Sequence, residues 1–144
     1  MGKSAAWCWD MSSNVEGKDY DPRYLDYFEC FNRQRFFEAH DVLEALWLPR
    51  RQGPDGSFYK GLIQLAGAFV HWQKRRSGPA AALFQLARAN LQRYAPSHEG
   101  LNITRLLMVI DQWRLQVRAA APGSCPPVPE GDLTPRLETP GSRE

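Results

Sequence analysis

The stretch FYKGLIQLAGAFVHWQKRR, Phe58 to Arg76, is apolar nearly all round when wound as a helix. A helix with one apolar stripe can lie on a surface, whereas one apolar around its circumference has to be enclosed by other elements. The rest of the chain must therefore supply neighbours on several sides of this segment. With 144 residues there is enough chain for one domain around a single core. Prolines and glycines divide it into helix-length blocks. Asp21-Pro22 predicts a helix start leading into RYLDYFECF. Asn32 is predicted to cap a second helix that runs to about Leu48, where Pro49 and RRQGPDG stop it. The central helix runs from about Ser57 through Arg76 and ends at Ser77-Gly78-Pro79. Pro79 then opens a fourth, AAALFQLARANLQRYA, which stops at Pro96. Asn102 is predicted to cap a fifth, ITRLLMVIDQWRLQVRAA, and no stretch alternates like a strand between hairpin turns. The expectation is an all-α antiparallel bundle of about five helices over residues 20–120. Residues 1–19 lack a helical period and read as a flexible segment on which Trp7 and Trp9 could still dock. Residues 121–144 are Pro-rich and read as a disordered tail.

Composition removes several function classes. A formal charge of +2 without a basic stripe argues against nucleic acid as a partner. No run of about 18 apolar residues is present to span a membrane, and no apolar stretch near Met1 suits a signal-peptide core. The early GKS lacks the upstream glycine of a phosphate-binding loop, and Ala6 stands where a myristoylation pattern needs Ser or Thr. Cys8, Cys30 and Cys125 are odd in number and widely spaced, fitting neither a disulfide framework nor a paired CxxC zinc site. The expected location is accordingly a reducing, cytoplasmic one. Lys74-Arg75-Arg76 is accounted for by the helix macrodipole, which favours cations at a C-terminus. His98, in APSHEG, reads as an exposed turn residue.

The stretch FNRQRFFEAHDVLEALW, Phe31 to Trp47, carries the polar groups that need an account. At about 100° per residue, and with His40 as zero, Phe36 falls near −40°, Leu43 near −60° and Trp47 near −20°. Glu44 falls near +40° and Phe37 near +60° by the same geometry. His40 and Glu44 are thus neighbours on the face that aromatic side chains mark as core-directed, with Glu38 and Asp41 off it. On the central helix, Gly61, Gln64, Ala68, His71 and Arg75 recur at spacings of three and four and form one narrow stripe. Buried polar groups need partners, so the cheapest packing sets this stripe against His40 and Glu44. The expected site is His40, Glu44, Gln64 and His71, walled by Phe37, Trp47 and Trp72. The Trp47 indole N–H is expected to bond Glu44 or a neighbouring acceptor.

Three readings of this cluster compete. It fixes the register of the helices through a hydrogen-bonded network. Or His40, Glu44 and His71 ligate a divalent metal such as iron or zinc, with Gln64 behind them. Or Glu44 holds the His40 ring while its other nitrogen moves a proton, making His40 and Glu44 the catalytic pair. The metal reading lacks both the HExxH pair and the repeated ExxH pairs of di-iron bundles.

The same segments carry a family resemblance. FNRQRFFEAHDVLEALW, then FYKGLIQLAGAFVHWQK, then a helix ending in LQRYAP before a glycine-containing turn, resembles the bacterial and archaeal "domain of unknown function 309" family. The likeness runs from about Tyr24 to Trp113, and its hallmark is a histidine, a glutamate four on and an aromatic three further: His40, Glu44 and Trp47. It implies a small all-α fold and marks the motif as the place to look, without naming a reaction. Members often carry a second acidic residue directly after the glutamate, where this chain has Ala45. The function expected is a structural or interaction module that binds a protein partner or a second copy. The alternative is a metal-binding or acid–base enzyme using His40, Glu44 and His71.

Overall fold

The computed structural model describes residues 20–119; the flexible segment expected at 1–19 and the tail expected from 121 on lie outside them. The described chain folds as five helices: α1 (Pro22–Asn32), α2 (Phe36–Trp47), α3 (Gly56–Gln73), α4 (Ser77–Leu91) and α5 (Ile103–Arg118). Single 3-10 turns, Leu48–Arg50 and Gln92–Tyr94, prolong α2 and α4. Short connections between long helices produce an antiparallel bundle in which each helix packs on the next. α3 is central, as its apolar circumference requires: α2 and α4 flank it, and the Tyr27 hydroxyl of α1 donates to the Leu62 carbonyl at 2.6 Å.

The core is aromatic, and Phe69 of α3 is its hub. Its ring stacks on Phe36 of α2 at 4.6 Å between centroids and on Trp72 at 5.7 Å. Phe31, Phe84 and Trp113 each meet it edge-on, which brings α1, α4 and α5 to one point. Offset-stacked and edge-to-face pairs suit the ring quadrupole and contribute about 0.5–1.5 kcal/mol each beyond area burial.

Helix boundaries show where local chemistry decides. Asp21 caps α1 by accepting from the Arg23 N–H at 2.8 Å, with Pro22 at the first helical position. Asn102 caps α5 by accepting from the Arg105 N–H at 3.0 Å. The helix start at Asp21-Pro22 and the Asn102 cap are as the sequence predicts. Asn32, however, does not cap α2 but is the last residue of α1. The reversal there is a Schellman motif: the Arg35 N–H returns to the Cys30 carbonyl, the Gln34 N–H to that of Phe31, and Gln34 takes a left-handed φ of 63°. α3 ends in the same way: the Arg76 N–H donates to the His71 carbonyl and the Arg75 N–H to that of Trp72, with Arg75 at φ 61°. That places the last three cations beyond the helix rather than inside its final turn. α4 starts at Ser77, two residues before Pro79, because a proline in the first turn removes only an N–H that has no intrahelical partner.

The all-α bundle of five helices is as the sequence predicts, with one small hairpin beside it. β1 (Ser97–His98) pairs antiparallel with β2 (Leu101–Asn102), His98 opposite Leu101. Its turn residues Glu99 and Gly100 have φ 48° and 75°, and positive φ at both central positions matches the twist of a two-residue hairpin. The Ile103 and Thr104 N–H groups both donate to the Pro96 carbonyl and close the base of the loop. With two residues per strand, the ladder is too short to leave an alternating pattern in the sequence.

Candidate functional site

His40 and Glu44 lie one helical turn apart on α2, each half-buried, at the edge of the core rather than within it. The His40 ring borders α3 where that helix has no side chain: a Cβ on Gly67 would lie 4.0 Å from His40 Cδ2 and 3.4 Å from Leu83 of α4. The seam between α2 and α4 therefore has Gly67, itself only half-buried, as its floor. His40 Nδ1 is 3.3 Å from Asp41 Oδ1, and one donor atom each from His40, Asp41 and Glu44 lie within 4.8 Å of one another. Sequence reasoning left Asp41 off the face. The adjacent His-Asp pair was the only sign of it, because an imidazole nitrogen reaches a neighbouring carboxylate that helical angles alone place apart.

The other expected members are distributed differently. Gln64 accepts from Asn90 Nδ2 of α4 at 2.7 Å, so its amide serves the α3–α4 contact. Gly61, three residues before it, is where α4 comes closest: a Cβ there would lie 2.8 Å from the Leu91 side chain and 3.2 Å from Asn90 Cβ. The small-residue stripe thus admits α4 at its Gly61 end, and the partner of Gln64 is Asn90, which sequence reasoning missed. Only a pairwise contact between two amides could have signalled it. His71 has a buried Nδ1 with no hydrogen-bond partner among the described residues, and it is in neither of the two converging donor groups found there. Burial, then the Arg76 and Lys74 cations, holds its imidazole below the usual histidine range.

Of the three walls, Trp47 is half-buried at the last position of α2. Its indole Nε1 is buried without a partner among the described residues, so the bond expected to Glu44 is not made. Trp72 is inside the aromatic core, stacked on Phe69, because its position on the all-apolar helix faces inward. Phe37 is 61% exposed: it leans to the Asp41 side of α2, away from α3. Cys30 is half-buried, with Sγ 3.8 Å from Asp26 Oδ1, and burial together with that carboxylate pushes its thiol up, away from reactivity.

Among the described residues, two buried polar atoms lack partners, on Trp47 of α2 and His71 of α3, and a His–Asp–Glu group converges on α2. Residues 24–83, from α1 through α3 into α4, match the family model described as "Domain of unknown function (DUF309)". This segment belongs to the DUF309 family. The DUF309 segment contains His40, Glu44, Trp47 and His71, whereas the hairpin and α5 lie beyond it. The chain is also similar to "Uncharacterized protein YpuF" of Bacillus subtilis (strain 168), with 29% identity over 105 residues. That alignment takes in 71% of this chain and 60% of the relative, so the chain spans less than two thirds of the relative's length. No solved structure matches significantly. Among the described residues no helix is long and apolar enough to cross a membrane.

Proposed function

We propose that this chain is a helical interaction module whose working surface is the outer row of α2. Phe37, Asp41, Glu44 and Leu48 succeed one another at spacings of four, three and four, within about 60° of arc on an ideal helix. The observation that carries the reading is the exposure at both ends of this row: Phe37 is 61% and Leu48 46% exposed, with the two carboxylates between them. An apolar–acidic–acidic–apolar row suits a partner segment that carries a cation between two large apolar side chains. A second copy docked through the same face would set Asp41 and Glu44 against their own counterparts, and like charges opposed across an interface are unfavourable. The half-exposure of His40 and Glu44 supports a binding role over one confined to ordering the core.

Helical peptides selected by display on the full chain test this reading. Enriched ligands should share a Lys or Arg between two large apolar residues, and should lose binding to Phe37→Ser and to Glu44→Lys. Enrichment without such a cation, or indifference to both variants, refutes it.

A second reading rests on the convergence of His40, Asp41 and Glu44. It gives a divalent metal two carboxylates and one imidazole, with Asp41 in the place the sequence assigned to His71. In its acid–base form Asp41 orients the ring through Nδ1 and leaves Nε2 to carry the proton. Zinc titration of the untagged chain, with His40→Ala and Glu44→Gln as controls, tests it: binding indifferent to both substitutions removes it.

A further inference from the structure

At the opposite end of α3 a second group converges, assembled from two distant parts of the chain. Donor atoms of Asp55, His98 and Glu99 lie within 4.8 Å of one another, and all three residues are half-buried. His98 Nε2 stands 2.8 Å from Asp55 Oδ1. The imidazole is held edge-on against Phe58 and tilted against Tyr94, each 4.7 Å between centroids, so its direction is set before any ligand arrives. The Glu99 backbone is pinned too, its carbonyl accepting from the Tyr24 hydroxyl at 2.8 Å.

One feature beyond proximity sets this group apart. Asp55 occupies the N-cap position of α3, yet its carboxylate caps nothing and turns to His98 instead, whereas Asp21 and Asn102 both cap their helices.

We propose that Asp55, His98 and Glu99 form a divalent metal site, with one carboxylate oxygen from each acid and His98 Nε2 as ligands. Two donors 2.8 Å apart, each about 2.1 Å from a metal, subtend roughly 85°, close to the right angle of octahedral coordination. One imidazole and two carboxylates at that angle suit manganese or zinc, with the remaining positions left to water. The hairpin supplies two of the three ligands, so a bound ion would fasten it to the start of α3.

The experiment uses the untagged full chain carrying His40→Ala, which disables the α2 group, so that the outcome is separate from that of the second reading above. Calorimetric titration with zinc should give one site per chain. Asp55→Asn and Glu99→Gln should each weaken it at least tenfold, with circular dichroism confirming the fold. Manganese should broaden the ring resonances of His98, Phe58 and Tyr94 and leave those near Trp113 sharp. Absence of zinc binding in the His40→Ala chain overturns the proposal, as does binding unchanged by Glu99→Gln. Should Asp55→Asn fail to fold, the half-exposed Glu99 and the manganese broadening decide.

Discussion

α3 has two sides that the chain treats in opposite ways. On one, Phe69 is enclosed by five aromatic rings from all of the other four helices and its own. On the other, half-buried Gly67 borders His40 of α2 and Leu83 of α4, and one turn further on His71 keeps a buried Nδ1 without a partner among the described residues. The same helix thus holds the molecule together along one line and leaves hydrogen-bonding capacity unused along another.

Substitutions along α3 should expose that division. Phe69→Ala is expected to cost about 3–5 kcal/mol, read from denaturant unfolding, since it empties the point where all the helices meet. Gly61→Ala should cost about 1–3 kcal/mol, because its Cβ would sit 2.8 Å from Leu91 and force α3 and α4 apart. Gly67→Ala should go the other way, stabilising by roughly 0.5–1 kcal/mol through helix propensity, because its Cβ meets only ordinary contacts at 3.4 and 4.0 Å. A loss in Gly67→Ala similar to that in Gly61→Ala would show the floor to be as tightly filled as the α4 contact. The smallest effect is pH dependence. His71 has a folded-state affinity for protons below its unfolded one, so the unfolded chain takes up more protons as acidity rises. Stability should be undiminished above the ordinary histidine pKa, near 6.5, and decline as pH falls through it. His71→Gln should flatten that part of a melting-temperature profile.

The sequence disclosed the helices because their signals are local: Pro22 after Asp21, Asn102 before Ile103, and an apolar circumference on α3. It misplaced the α1–α2 boundary because a left-handed Gln34 has no compositional mark, unlike the glycine that commonly fills that role. His40 and Glu44 were legible as neighbours from spacing alone. The partner of Gln64 was not, since helical angles say which way a side chain faces but not which helix it meets. His98 was read as exposed. Its half-buried pairing with Asp55 joins residues 43 apart, a distance that no periodicity bridges.

The hydrogen bond from the Tyr24 hydroxyl to the Glu99 carbonyl joins residues 75 apart and fastens the first helix to the tip of the hairpin. The tip therefore cannot lift without loosening the start of α1, and whatever grips the tip is felt there. Amide exchange in the first turns of α1 would act as a remote gauge of occupancy at the hairpin, slowing on capture and quickening in Tyr24→Phe, where the tether is cut but the ring remains.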